Sequence, residues 1–316
     1  MATPVSHTLV DLAKRTHNGN LLTIAEVLEN SLDVLNDALH FEANGFTNHT
    51  YDQRVSEPEA DYRMLNKGAV YGKSEVQQAI EPVSMIEIWS RIDARLYNMA
   101  PDKEQYRSDE DLAFVNGLAK KFAREWMYGN PGTNPLALKG IANRLSTLGA
   151  NCVTAGGTAN RASIVLVQWG ARAYHLLYPI GAKIGIQVDP KPLTTAYDDD
   201  GKPLDVLQTK FTLETGMVLH NDKCLQRICN IDVDALFSAN KVDDLLIKAL
   251  NRMPMRGAGA KMYMNSQLIS QFEIHAKDKT NVNYGTTDAF GVPVTTFRRI
   301  PLRMNDEMVV GESAVV

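Results

Sequence analysis

Apolar positions along this chain follow three regimes. Over the first forty residues they have helical spacing. Leu9, Leu12 and Ala13 open one piece, and Leu21, Leu22, Ala25, Leu28, Leu32 and Leu35 form a second. The polar run Thr16-His17-Asn18-Gly19-Asn20 predicts a loop between them. Nothing nearby completes a βαβ unit. From 46 to 84 large aliphatics become scarce and charge becomes dense, through Asp52, Arg54, Glu57, Glu59, Asp61, Arg63, Lys67, Lys73 and Glu75. Short β-leaning pieces, Tyr51 to Val55 and Ala60 to Leu65, flank Ser56-Glu57-Pro58-Glu59. Such a stretch buries little of its own surface, and an isolated hairpin is marginal in water. The pattern predicts a long, projecting, two-stranded loop that becomes ordered on another surface.

The third regime is compact. Val83 to Leu96 returns to strand-like alternation at Ile86, Ile88 and Ser90. A long helix follows: Ser108 is the expected cap, with Asp111 three residues on as a capping box. Leu112, Val115, Leu118, Ala119, Phe122 and Trp126 make one apolar stripe. Gly129 is expected as a left-handed C-terminal cap, and Pro131 blocks continuation. A shorter helix is expected through Leu138, Ile141, Leu145 and Leu148, closed by Gly149.

From about 160 the reading is α+β. Ser163 to Trp169 and Ala173 to Tyr178 are consecutive strands, and Asp198-Asp199-Asp200-Gly201 signals a turn. Leu207, Thr209, Phe211 and Leu213 alternate with polar residues as a half-buried strand. Val242, Leu245, Leu246, Ala249 and Met253 predict a helix with leading acids, trailing bases and a stop at Pro254. Met262 to Met264 is a strand, Ser266 to Ala276 a helix, and Val292 to Leu302 the last strands. No linker divides the chain, so two subdomains sharing strands are expected.

Composition narrows the function. In 316 residues, 33 Lys and Arg stand against 37 Asp and Glu, a formal charge of −4. A dedicated nucleic-acid reader carries a basic surplus to displace counterions from phosphate. The longest apolar run, Ile164 to Val167, is strand-sized and far short of a membrane span. Met1 to Lys14 lacks the basic region and apolar core of a secretory signal, which makes the cytoplasm the default site. Cys152, Cys224 and Cys229 are too few for a disulfide framework and read as buried and reduced. Cys224 and Cys229, five apart in a strand-like stretch, are expected on opposite sides.

The search for chemistry finds no strong motif. Gly68-Ala69-Val70-Tyr71-Gly72-Lys73-Ser74 is one residue short of a phosphate-binding loop, and Lys67 holds the position of its first glycine. Converging backbone amides need a fixed register, so a glycine-rich turn in the projecting loop is the simpler reading. Gly257-Ala258-Gly259-Ala260-Lys261 follows a helix and precedes a strand, the reverse of a dinucleotide fingerprint. His220, Cys224 and Cys229 have no fourth ligand at metal-site spacing. No catalytic, cofactor or metal residue is assigned. Phe114, Phe122 and Trp126 share a helical side and read as core.

The order of these parts resembles the major capsid proteins of tailed double-stranded-DNA bacteriophages, the Hong Kong 97-type fold, in its short-tailed-phage subgroup. Three stretches carry the resemblance. Ser84 to Asn98 with Ser108 to Asn130 looks like the loop-return strand and spine helix, Pro135 to Leu145 like the segment that follows, and Met262 to Val294 like the close of the apical domain. Asn230-Ile231-Asp232-Val233 adds to them. The resemblance implies an N-terminal arm at 1–45 and an extended loop at 46–84 lying on the neighbouring subunit. It implies a peripheral domain at 85–150 and 291–316 with its spine helix at 108–128, and a mostly apical region at 151–290. It further implies homo-pentamers and homo-hexamers closing an icosahedral head around double-stranded DNA without sequence-specific contact. Procapsid maturation, a separate scaffolding protein, a portal protein at one vertex and a possible cement protein belong to the same picture. No membrane partner, cofactor or enzymatic activity is implied, and the site of action is the virion, assembled in the host cytoplasm. The rival readings are an encapsulin-like bacterial shell around a cargo enzyme, and a nucleotide-binding enzyme using Gly68 to Ser74.

Overall fold

The computed structural model describes residues 16–17, 20–21, 33–197, 200–237, 241–277, 284–289 and 292–316. Short strands β1 (Thr16–His17) and β2 (Asn20–Leu21) pair with each other within the stretch expected to be a loop. The helix expected at 9–13 lies outside the described residues. Of the second, only α1 (Asp33–Asp37) is described.

Next come β3 (His40–Glu42), β4 (Asn48–Ser56) and β5 (Glu75–Asp93), then helices α2 (Ala94–Met99), α3 (Lys103–Tyr128) and α4 (Ile141–Arg144). Strands β6 (Cys152–Thr154), β7 (Arg161–Gln168), β8 (Tyr174–Tyr178), β9 (Gln187–Pro190), β10 (Thr194–Tyr197), β11 (Pro203–Leu219) and β12 (Leu225–Asp232) follow. The chain ends with α5 (Val242–Arg252), β13 (Ala260–Met264), α6 (Ser266–Lys277), β14 (Tyr284–Ala289), β15 (Val292–Phe297) and β16 (Ile300–Met304).

The strands make two large sheets. Sheet one has the order β3-β8-β11-β5-β4, with β9 and β10 also paired to β11; sheet two runs β14-β15-β16-β13-β7-β12-β6. Strand β7 explains why its sequence is a continuous apolar run: it is covered on both faces. Ile164 and Leu166 face a core that α5 and α6 complete with Leu246, Leu250, Leu268 and Phe272. Val165 and Val167 face a second core built on α3 with Leu118, Phe122 and Trp126. That second core also takes Tyr174, Phe211 and Leu213 from sheet one, so α3 joins the sheets. Half-buried Phe114 stacks on Phe211 at 5.6 Å.

Buried charges lock the periphery to this frame. Glu312, near the C-terminus, accepts from Tyr128 Oη of α3, Ser163 Oγ of β7 and Arg227 Nη2 of β12. Asp37 of α1 pairs with Lys261 and Arg303, and Tyr263 Oη donates to it at 3.1 Å.

Several expectations change. Helix α3 begins at Lys103, where Asp102 accepts from Gln105 N, so Ser108 is interior rather than the cap. Gly129 has φ −52° and is not left-handed. It is glycine because a Cβ there would lie 2.3 Å from Leu138 O, and Gly140 N donates to Gly129 O at 2.8 Å. The shorter helix is the single turn α4, and Leu148 is exposed. Ile88, expected on the buried face with Ser90, is exposed. Residues 60–65 are irregular rather than a strand. The consecutive strands β7 and β8 lie in different sheets, because the chain between them turns out of one ladder into the other.

Strands β15 and β16 pair within sheet two, beside β13, rather than with the unit of helix α3 and β5. Strands β8 and β11, expected in the apical region, belong to sheet one with β5.

Candidate assembly surface

Strands β4 and β5 form a hairpin in register from Asn48↔Pro82 to Arg54↔Val76. Beyond Gly216↔Val83, β5 continues as the partner of β11, so one strand runs from the body into the projection. Its outer half is nearly unburied: Val76 and Ile80 are 56% and 61% exposed. The tip, 57–74, carries Tyr62, Leu65 and Tyr71 essentially fully exposed, with Met64 and Val70 close behind. Apolar side chains in water forgo roughly 1.5–3 kcal/mol each relative to burial. The tip holds its own shape through Arg63 Nε donating to Lys67 O at 2.7 Å and Lys67 N to Met64 O at 3.2 Å.

Gly68 to Ser74 lies in this tip, fully open to solvent. Space around Gly68 is empty to 4 Å, and Gly72 passes against Pro58 on the opposite leg. These glycines let two irregular legs approach; they do not wrap a phosphate. The other candidate set is also split. Cys229 faces Cys152, with Sγ atoms 3.7 Å apart and both buried, whereas Cys224 ends a 3₁₀ turn and is not in the strand. His220 packs instead on Tyr51 and His175. Among the described residues no three His, Cys, Asp or Glu side chains gather in a way that could hold a metal ion. No helix there is long and apolar enough to cross a membrane.

The hairpin root is the best-built part of the projection. Arg144 of α4 reaches Glu81 of β5 with both guanidinium nitrogens, at 2.7 and 2.8 Å, and donates to Met217 O at 3.0 Å. Tyr51 Oη donates to Leu219 O at 3.2 Å, while its ring packs with Leu177, Val218 and Ala79. Asn44 closes the turn before β4: its side chain donates to Thr50 O and accepts from Thr50 N. A cleft of about 340 Å³ opens beside Tyr51, Glu81 and Arg144, and another of about 440 Å³ lies between Gln53–Glu57 and His220–Lys223. Gln53 Nε2 bridges to Asp222 at 3.1 Å where they meet. Burial pushes His175, at this root, down to about 4.

The projection is legible in the chain, but its root is not. Glu81, Arg144, Tyr51 and the histidines lie far apart in the chain, and no local spacing links them.

A third groove, about 260 Å³, runs between β5, α3 and the 134–138 segment, with Met85 and Leu136 exposed on its rim. On the outer face of sheet one, Lys210 pairs with Glu87 at 2.7 Å and sits over the Trp89 ring.

The family model described as Major capsid protein GP7 matches residues 16–316. Among curated proteins no sequence matches. Among solved structures, the chain is similar to one in the structure of bacteriophage Epsilon15, at 25% identity and a TM-score of 0.71, over 100% of this chain and 98% of that one. It is more distantly similar to a chain of the bacteriophage JBD30 capsid, at 12% identity and TM-score 0.43, over 85% and 88% of the two chains. A chain of the SrpI encapsulin complex from Synechococcus elongatus matches at 9% identity and TM-score 0.46, over 72% and 97%.

Proposed function

The chain belongs to the family of major capsid protein GP7, and from that premise we propose how its parts divide the work of building a phage head. It is a structural protein of the bacteriophage head shell, with a Hong Kong 97-type fold, and the shell is built from repeated copies of it. Its place is the virion.

Copies assemble as homo-pentamers and homo-hexamers into an icosahedral head around double-stranded DNA. Such rings need a heterologous interface, one patch meeting a different patch on the next copy. The hairpin supplies the reaching patch: residues 46–84 are the extended loop, seated on the neighbouring subunit. Residues 1–45 are the N-terminal arm. The peripheral unit is drawn around sheet one and helix α3 as the spine, and the apical unit around sheet two with α5 and α6. Maturation proceeds by rotation of these units. A separate scaffolding protein, a portal at one vertex and a cement protein are the expected partners, with assembly in the host cytoplasm. The chain has no catalytic role. A formal charge of −4 suits a wall that must not trap the genome through phosphate contacts.

The observation that carries this reading is the apolar tip, with Tyr62, Leu65 and Tyr71 fully exposed, on a subunit that buries Trp126, Phe211 and Phe272 in its own cores. Weak contacts of this kind, repeated around a closed shell, add through multivalency. Electron microscopy of the purified chain, alone and with its scaffold, tests it. Closed shells that package DNA are expected. A chain that stays monomeric at high concentration with the scaffold present, or shells that hold an enzyme instead, would overturn it.

A further inference from the structure

Three elements each deliver one imidazole to the hairpin root: His49 from β4, His175 from β8 and His220 from the residue after β11. The rings of His175 and His220 are 5.2 Å apart. Tyr51 meets His220 edge-on at 4.7 Å and stacks with His49 at 6.1 Å, while Phe41 of β3 meets His175 edge-on at 4.7 Å. Geometry at His49, and burial at all three, favour the uncharged rings. Asn44 N donates to His49 Nδ1 at 3.2 Å, which requires that nitrogen to be bare. A proton there would set N–H against N–H. His175 is 3% exposed, and its Nδ1 donates to Gly170 O at 3.3 Å; burial disfavours a second proton on Nε2.

The surrounding charges are engaged elsewhere. Glu81 is paired with Arg144, and Asp222 accepts from Gln53. Lys223 lies on the same short turn as Asp222, Glu42 of β3 accepts from Gly181 N, and Asp52 and His40 sit on the opposite faces of their strands from Tyr51 and Phe41. Among the described residues no carboxylate bonds to any of the three rings.

We propose that the hairpin root is an acid-operated latch: neutral His49, His175 and His220 keep the hairpin seated on sheet one, and their protonation unseats it. The inference rests on the reading of 46–84 as the assembly loop for its consequence, which is a change in the angle at which that loop meets the next copy. The direction follows from linkage. Burial holds all three below their ordinary value, His175 at about 4, with repulsion from neighbouring imidazoles adding to it at His175 and His220. Released histidines return to about 6.5 and bind more protons below that pH. Seating is therefore complete above about pH 6.5 and weakens progressively as the pH falls toward 4.

The test is amide hydrogen exchange on the unassembled full chain at pH 7.5 and pH 5, corrected for the intrinsic rate. Protection of the amides of 48–51 and 79–81 should fall at least ~10-fold at pH 5, while β7 and β12 stay protected. In the triple variant His49→Gln, His175→Gln, His220→Gln the pH response should vanish. A wild type indifferent to pH, or a triple variant that responds as the wild type does, overturns the latch. If the triple variant does not fold, His49→Gln alone, half-buried and retaining an acceptor, must blunt the response; an undiminished response overturns the latch equally. Microscopy of the same preparation at neutral pH separates the two claims. Shells built by a pH-indifferent chain remove the latch and leave the capsid reading. A pH-responsive root in a chain that never forms shells keeps the latch and removes the loop's assembly role.

Discussion

Strand β7 and the hairpin strands β4 and β5 are both extended chain, yet they are made for different neighbours. From Ala162 to Val167 every β7 side chain is buried, and all but Ser163 are split between two cores of the same subunit. On β4 only Tyr51 is buried, and the outer half of β5, from Glu75 to Ile80, has no buried residue. One region is complete within a single copy. The other has its backbone ladder but lacks the second layer that a sheet needs for independent stability. A substitution should therefore read out differently in the two regions: as lost subunit stability in the first, and as lost association in the second.

The sharpest break of that contrast lies in the closed region. Trp126 of α3 is fully buried and meets Tyr263 of sheet two edge-on at 5.1 Å. Trp126→Ala should destabilise the subunit by about 3–5 kcal/mol, read from denaturant unfolding. An unchanged midpoint would mean that the stripe of α3 is not core.

Much of that closed region was legible in the chain, because its signals are local. The stripe through Phe122 and Trp126, the alternation through Phe211 and Leu213, and the charge-ordered helix of 242–253 each follow a period. Nonlocal causes were not legible. Gly129 is set by Leu138 O, and α4 stops after one turn. The start of α3 did have a local signal, Pro101-Asp102 with Gln105 three on, but Ser108 with Asp111 offered a competing one beside the apolar stripe. At the hairpin, scarcity of aliphatics revealed the projection. Its root could not be read, because Glu81 and Arg144 meet only after β5, α4 and β11 have assembled.

A smaller effect is expected at the border between the two regions. Glu81→Gln keeps the shape of the side chain but leaves Arg144 buried without its counter-charge. Both side chains are below 10% exposed, so solvent does little to replace the pair. The loss should be about 3 kcal/mol. It should appear first as faster amide exchange in β4 and the outer half of β5, ahead of global unfolding. Equal loosening of β7 would show that hairpin and body open as one unit.

The smallest effect on the subunit belongs to the tip, where the contrast is most exposed to refutation. Tyr62 and Tyr71 touch so little of their own chain that the double variant Tyr62→Ser, Tyr71→Ser should move subunit stability by no more than ~0.5 kcal/mol. The same change removes two aromatic contacts from every copy in a shell, and interface aromatics are where association energy concentrates. Shell yield should collapse while the unfolding midpoint stays put. A destabilised subunit would mean that the tip folds back onto its own body. Normal shells from a stable variant would mean that the joint between copies lies elsewhere, with the groove of Met85 and Leu136 beside α3 the next surface to substitute.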